Sequence, residues 1–171
     1  MEAVLVFPID KVKKKIWLAK KVGKVGSGRL NGYGGKMEVG ENPISATCRE
    51  FKEETAGAEV RPNDLLYVAR GIFNNQEQDG TTSAWKVHIL LALAWFGKIR
   101  PTSTMTNPKQ YSWSDIPKFP PELLLPGDKE WLPKILSSIE YYSVYPMSIQ
   151  ATYGPGQREL VGKVKIGILA Q

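Results

Sequence analysis

Glu50, Glu53 and Glu54 fall within five residues, close behind the glycine-rich stretch GYGGK at 32–36. On a helix, like charges spaced i,i+3 and i,i+4 repel by a few tenths of a kcal/mol per pair, so such a cluster calls for a counter-charge. A divalent cation is the natural one. Mg²⁺ takes oxygen ligands at about 2.0–2.1 Å and fills its remaining positions with water and substrate phosphates. The chemistry this would serve is hydrolysis of a polyphosphate linkage, which is slow because an anionic substrate repels an anionic nucleophile. A metal ion offsets the repulsion, orients the phosphates and acidifies bound water, and a nearby glutamate can take the proton.

These side chains must be positioned by a helix. Asn42 is suited to the N-cap, Pro43 to the first helical position and Gly57 to the stop, which predicts a helix over 43–56. At about 100° per residue, Ile44, Cys48, Phe51 and Thr55 fall within about 60° of one another, and the three glutamates lie in an arc about 140° away. One stripe therefore docks on a sheet and the other faces outward. Arg49 lies beside Glu53 and can reach Glu41, which would hold the acidic cluster in place. Taken alone, REFKEE also suits an ordinary solvated helix face; the residues upstream decide between the two.

Gly35, five residues, Glu41, seven residues and then Arg49-Glu50-Phe51-Lys52-Glu53-Glu54 resemble the Nudix box, G-x5-E-x7-R-E-U-x-E-E-x-G-U, where U is aliphatic or aromatic. The resemblance implies an α/β/α sandwich, a mixed β-sheet between helices. It also implies hydrolysis of a nucleoside diphosphate linked to another group, with Mg²⁺ or Mn²⁺ as cofactor. By the same resemblance the metal set is the Gly35 carbonyl, Glu50, Glu53 and Glu54, supported by Arg49 and Glu41. Glu50 or Glu53 would activate the water. Ala56 stands where the box has glycine and Gly57 where it has an apolar residue. The expectation is a helix one residue longer, followed by a strand at AEV (58–60), with the ligands untouched.

GSGRLNGYGGKMEVGE (26–41), and less closely LLPGDKEWLPKIL (124–136), are similar to a branch of that family acting on oxidised purine nucleoside triphosphates such as 8-oxo-dGTP. The branch reads the purine with an asparagine and two aspartates beside a stacking tryptophan. Asn31 and Asp128 match the asparagine and the second aspartate; Gly127 and Leu125 replace the first aspartate and the tryptophan. The implied substrate-binding set is Asn31, Gly34, Lys36, Leu125 and Asp128. Losing the platform removes stacking worth about 1–3 kcal/mol, and Tyr33, Phe73, Trp113 and Trp131 are the candidates to replace it. A further acidic metal ligand found in many members falls on Met105, with Glu77 and Asp79 as substitutes. ADP-ribose, a dinucleoside polyphosphate or an RNA cap remain alternative substrates, and a non-catalytic nucleotide-binding module remains an alternative role.

Other reactive side chains read as structural. His88 lies mid-strand and Cys48 on the buried helix stripe. The lysines at 12–15 and 20–24 form a solvated edge, or some of them meet substrate phosphates.

The rest of the chain reads as a single domain, 1–171. A composition of 42% apolar and 23% charged residues is that of a globular protein. No run approaches the roughly 18 continuous apolar residues of a membrane helix, and the charges of MEAVLVFPIDKVKKK follow its apolar stretch, the reverse of a secretory signal. One cysteine excludes an internal disulfide and fits a reducing, cytoplasmic setting. The net charge of +6 favours anionic partners without selecting among them. The expected partner is a nucleoside triphosphate, with no membrane and no obligatory nucleic acid, and the expected state is a monomer. Strands are predicted at 3–9, 14–21, 64–73 and 83–96, and loops at 22–35 and 74–82. A proline-rich stretch at 116–128 leads to a helix over 128–142, and two terminal strands flank the turn Gly154–Gly156, with Val164, Ile166 and Ile168 alternating.

Overall fold

The apolar run near the N-terminus forms β1 (Glu2–Asp10). Leu5, Phe7 and Ile9 turn to one face and Val6 to the other, and both faces are covered. This is the continuous hydrophobic pattern of a strand inside a two-sided sheet. The computed structural model describes residues 1–23, 26–77, 79–141 and 145–170.

From β1 the sheet extends in one direction through β5 (Thr82–Ala92), β4 (Leu65–Gln76), β7 (Met147–Tyr153) and β8 (Lys165–Ile168). β1 with β5 and β4 with β7 are parallel; β5 with β4 and β7 with β8 are antiparallel. In the other direction β2 (Lys15–Lys21) pairs with β1 only at Ile9–Ile16 and Asp10–Lys15, then diverges to pair with β3 (Leu30–Asn31) and β6 (Met105–Ser112). The divergence leaves a fork, and residues 33–37 fill it by bonding to the free edge of β1. Val6 N–H donates to Tyr33 O at 2.7 Å, Tyr33 N–H to Val6 O at 2.9 Å, Val4 N–H to Gly35 O at 2.9 Å and Met37 N–H to Glu2 O at 3.1 Å. Glycine is required there by close approach: a Cβ on Gly34 would stand 2.1 Å from the Val4 carbonyl oxygen, and one on Gly32 2.7 Å from that of Val6.

α1 (Pro43–Glu54) covers one face of the sheet through Phe51, which packs with Val6, Tyr33 and Leu90. α2 (Asp128–Ser138) covers the other through Trp131, Leu132, Ile135 and Leu136, which pack with Phe7, Ile9 and Leu91. The result is the expected α/β/α sandwich with a mixed sheet. Among the described residues no helix is long and apolar enough to cross a membrane.

Several boundaries differ from the sequence reading. β6 has no counterpart in that reading, because MTNPKQYS has no apolar alternation; it is an edge strand, where Pro108 is tolerated. β4 runs on through Asn74, Asn75 and Gln76, shrinking the predicted polar loop to a turn between Gln76 and Thr82, since pairing with β5 continues to that point. β5 stops at Ala92 rather than 96. AEV forms no strand, only a bridge between Glu59 and Phe96. α1 is not lengthened: Thr55 caps it, Ala56 takes a left-handed φ of 55° and Gly57 one of 102°, and Gly57 N–H closes on Lys52 O at 2.9 Å. α2 ends at Ser138 and continues as a 3-10 turn over Ile139–Tyr141; residue 142 lies outside the described residues. The terminal strands pair antiparallel, but β8 begins only at Lys165, so Val164 lies outside it and a longer connection than the turn Gly154–Gly156 joins the pair; Ile168 is 75% exposed, because β8 is the edge of the sheet.

Candidate active site

The start of α1 is fixed by its cap. Asn42 Oδ1 accepts from the Ile44 and Ser45 N–H groups, both at 2.9 Å, and Ser45 Oγ accepts from Asn42 N–H at 3.1 Å. Two turns on, Arg49 gathers the acidic residues. Its Nε and Nη2 donate to the two oxygens of Glu41 at 2.7 and 2.9 Å, and Nη1 to Glu50 at 2.8 Å and Glu53 at 3.4 Å. Nη2 also meets the Lys36 carbonyl at 3.1 Å. The guanidinium hydrogen-bonded to Glu41 holds that carboxyl at about 2, aided by the Glu38 N–H.

The glutamates do not share one solvated face, as the helical wheel implied. Glu53 does point outward, with a side chain 60% exposed. Glu50 is 9% exposed and Glu54 is half-buried, because both stand on the border of the apolar stripe, where the segment 33–37 lies across the helix. Glu54 accepts from Gly34 N–H at 2.6 Å. Glu50 packs so closely on Gly35 that a Cβ there would lie 2.5 Å from its Oε2. The wheel gives angle but not what covers it.

Burial raises both carboxyls. Glu54 is pushed up to about 7 by desolvation, against the Gly34 N–H and Lys21, with Glu50 and Glu53 adding to the rise. Glu50 is also raised by desolvation, with Arg49 opposing. The site is thus short of positive charge although Arg49 is fully engaged, and its donors are hard oxygens. Gly35 O already accepts from Val4 N–H and keeps a second lone pair. Among the described residues no three acidic, histidine or cysteine side chains form a closed cage. Two carboxylates and a carbonyl nevertheless fit Mg²⁺, which is usually held by one or two carboxylates together with substrate phosphates.

Glu54 opens onto a cavity of about 330 Å³ lined also by Asn31, Gly34, Gly35, Lys36, Lys21 and Leu125. Asn31 is 8% exposed and its Oδ1 accepts from Gly32 N–H at 2.8 Å, leaving its NH₂ free of that contact. Asp128 does not line this cavity. It opens α2, 4% exposed, accepting from Trp131 Nε1 at 3.1 Å, and burial pushes it up to about 8. Gly127 ahead of it takes a left-handed φ of 89°. Met105 lines the cavity from β6, opposite Lys21. Asp79 is engaged by Thr81 N–H and Oγ1 at 2.9 and 2.6 Å, and neither it nor Glu77 lines the cavity.

Of the candidate stacking residues, Tyr33, Trp113 and Trp131 are buried in the core, whereas Phe73 lines the cavity. Trp85, which sequence reasoning missed, lines it as well and faces Phe73 across the β4–β5 ladder. The signal that could have found it is the hairpin register, once the strands are known to run to Gln76 and Thr82.

The remaining side chains behave as read. His88 meets the Tyr67 hydroxyl at 2.9 Å and Glu2 at 3.1 Å, and Cys48, half-buried, has its thiol raised by burial. Lys13, Lys14 and Lys15 are engaged by Asp10, Glu140 and Ser112. Lys21 is the one of its group that lines the cavity; Lys24 lies outside the described residues.

A family model of the NUDIX domain matches residues 1–135. The sequence is 30% identical over 131 residues to an oxidized purine nucleoside triphosphate hydrolase of Danio rerio, covering 77% of this chain and 78% of that one. It is 28% identical over 139 residues to the protein of the same name from Mus musculus, covering 81% and 83%. A MutT protein from Bacillus halodurans superposes with a TM-score of 0.71 at 21% identity, over 96% of both chains. The NUDIX domain of Shewanella oneidensis NrtR, complexed with ADP ribose, gives 0.60 at 16% identity, over 82% of this chain and 88% of that one. At these identities the two structures show a shared fold.

Proposed function

This chain belongs to the NUDIX family, and from that premise we propose that it is a metal-dependent pyrophosphohydrolase of purine nucleoside triphosphates, oxidised ones such as 8-oxo-dGTP included. The products would be the monophosphate and pyrophosphate, and the role would be removal of damaged nucleotides from the pool. The observation that carries this reading is the desolvated pair Glu50 and Glu54, bent around Gly34–Gly35 beside an apolar cavity that also holds Asn31 and Lys21. Distant homology to the oxidized purine nucleoside triphosphate hydrolases supports the substrate class.

In this reading Glu50, Glu54 and the Gly35 carbonyl would hold Mg²⁺ or Mn²⁺, with Glu53 beside them pointing outward rather than completing a three-carboxylate set. The ion, when bound, supplies charge neutralisation for the phosphates and a more acidic water. Arg49, braced by Glu41, orients Glu50 and Glu53. Glu53, the most exposed of the three, accepts the proton of the attacking water. Lys21 and Lys36 balance phosphate charge, while Asn31 reads the base between Phe73, Trp85 and Leu125; Asp128, buried outside the cavity lining, takes no part. We take residues 1–171 as one domain, acting as a cytoplasmic monomer without an obligatory nucleic acid.

The test is pyrophosphate release from 8-oxo-dGTP, 2-oxo-dATP, dGTP, dATP, ADP-ribose and capped RNA with Mg²⁺, comparing wild type with Glu53→Gln. Turnover of the oxidised triphosphates that falls by about 10²–10⁴-fold in the variant is expected. Turnover confined to ADP-ribose or capped RNA would replace the substrate, and nucleotide binding without any turnover would make the chain a binding module.

A further inference from the structure

The far wall of the cavity carries a polar feature that the family motif does not involve. Asn75 faces inward from the end of β4 on the same side as Phe73, and is only 8% exposed although its neighbours on this wall, Phe73, Trp85 and Val87, are aromatic or aliphatic. Its Oδ1 accepts from Gln157 Nε2 at 2.9 Å, and Gln157 also lines the cavity. Among the described residues neither the Asn75 amide nitrogen nor the Gln157 carbonyl oxygen makes a further hydrogen bond. Neither of these two atoms is sealed off, so both open on the cavity, and a polar pair in an otherwise apolar wall is placed to bond a ligand there. Gln157 adds a second, independent anomaly. It holds a left-handed φ of 56°, a conformation that costs a non-glycine residue roughly 1–2 kcal/mol. The preceding Gly154-Pro155-Gly156 turn, with Gly156 at φ 66°, places it over the cavity.

We propose that Asn75 and Gln157 form a hydrogen-bonding subsite that reads the edge of a nucleobase carrying a donor next to an acceptor, such as the N1 and 6-substituent edge of a purine. The inference rests on the nucleotide reading above and extends it. One bond joins the two amides, which leaves a donor group on one and an acceptor on the other, side by side. Turning both amides over exchanges those roles and keeps the bond between them. The subsite therefore accepts a 6-oxo or a 6-amino edge and disfavours a base with no 6-substituent, which would leave part of the pair unpaired. Because Glu54 and Asn75 line the same cavity, a nucleotide whose phosphates meet the glutamates directs its base toward this pair.

The experiment compares dGTP and dATP with the 2′-deoxyribonucleoside triphosphate of unsubstituted purine, by pyrophosphate release from wild type, Asn75→Leu and Gln157→Gly. Wild type is expected to favour the substituted purines by about tenfold in kcat/KM, the worth of one to two hydrogen bonds, and both variants to bring that ratio near one. Gln157→Gly removes the strained conformation, so its thermal midpoint is expected to stay level or rise while its discrimination falls; a turn-tethering role for Gln157 would leave discrimination intact. An unchanged ratio in both variants overturns the subsite and leaves the hydrolase standing. If wild type turns over no triphosphate, the hydrolase reading fails, and calorimetric binding of the corresponding monophosphates decides the subsite alone. A tenfold preference that the variants abolish supports it; equal affinities, or no binding, overturn it.

Discussion

The two ends of the cavity are built by opposite means. At the glutamate end the carboxylates all come from residues 31–54 and are tied to neighbours, Glu41 and Glu50 to Arg49 and Glu54 to Gly34, with the loop itself bonded to β1 and Lys21 reaching in from β2. At the base end Phe73 and Asn75 come from β4, Trp85 from β5, Leu125 from the stretch before α2 and Gln157 from the turn beyond β7, and together they present mostly apolar surface with one amide pair. A site for charged phosphates needs compensating charges in fixed positions, which a short continuous segment can set by itself. A site for a flat heterocycle needs walls, and walls can come from anywhere in the sheet.

The contrast predicts that damage at the glutamate end strikes all substrates alike, whereas damage at the base end depends on the base. Gly34→Ala should have the largest effect: its Cβ would press on the Val4 carbonyl and displace Glu54. A fall of about 10²-fold in kcat is expected on every triphosphate, together with a lowered thermal midpoint. Equal loss across bases would sharpen the contrast, and a base-dependent loss would break it. Trp85→Ala removes one wall, and stacking worth about 1–3 kcal/mol should appear as roughly a tenfold or greater rise in KM for purines, with less for pyrimidines.

Asp128→Asn should act through pH. The folded protein holds this carboxyl protonated to about 8, from an ordinary value of 3.8. Its contribution to stability is complete below pH 4 and declines up to about pH 8, by at most about 1.4 kcal/mol per pH unit, because the unfolded chain ionises first. Denaturant midpoints should therefore show the variant gaining on wild type from pH 4 to 8 and running parallel above it. Ala56→Gly is the smallest change. It relieves a left-handed alanine at the end of α1 and should stabilise the fold by about 0.5–1 kcal/mol in thermal unfolding, with no base dependence.

The same contrast explains which parts of the molecule are legible in its sequence. Arg49, the glutamates and Gly35 follow one another at fixed intervals, so the order of residues alone reveals their assembly; the depth of Glu50 and Glu54 stays hidden, because it depends on the covering segment. The sandwich follows from β1 and the two helical patterns. β6, the true lengths of β4 and β5, and Trp85 are illegible because polar strand ends carry no periodicity and are defined by the partner they pair with. Asn75 and Gln157, 82 residues apart in sequence, meet only through the parallel pairing of β4 with β7 and the turn beyond it.

The fork between β1 and β2 has a consequence for how the molecule breathes. Since residues 33–37 complete the hydrogen bonding of the β1 edge, they are in effect a guest strand of the central sheet rather than a surface loop. Freeing them would strip β1, a strand covered on both faces, of its partners along one side, so the glycine segment has no inexpensive local opening of its own. The amide hydrogens of Val4, Val6 and Tyr33 should then be replaced by deuterium together, on the slow clock of the sheet.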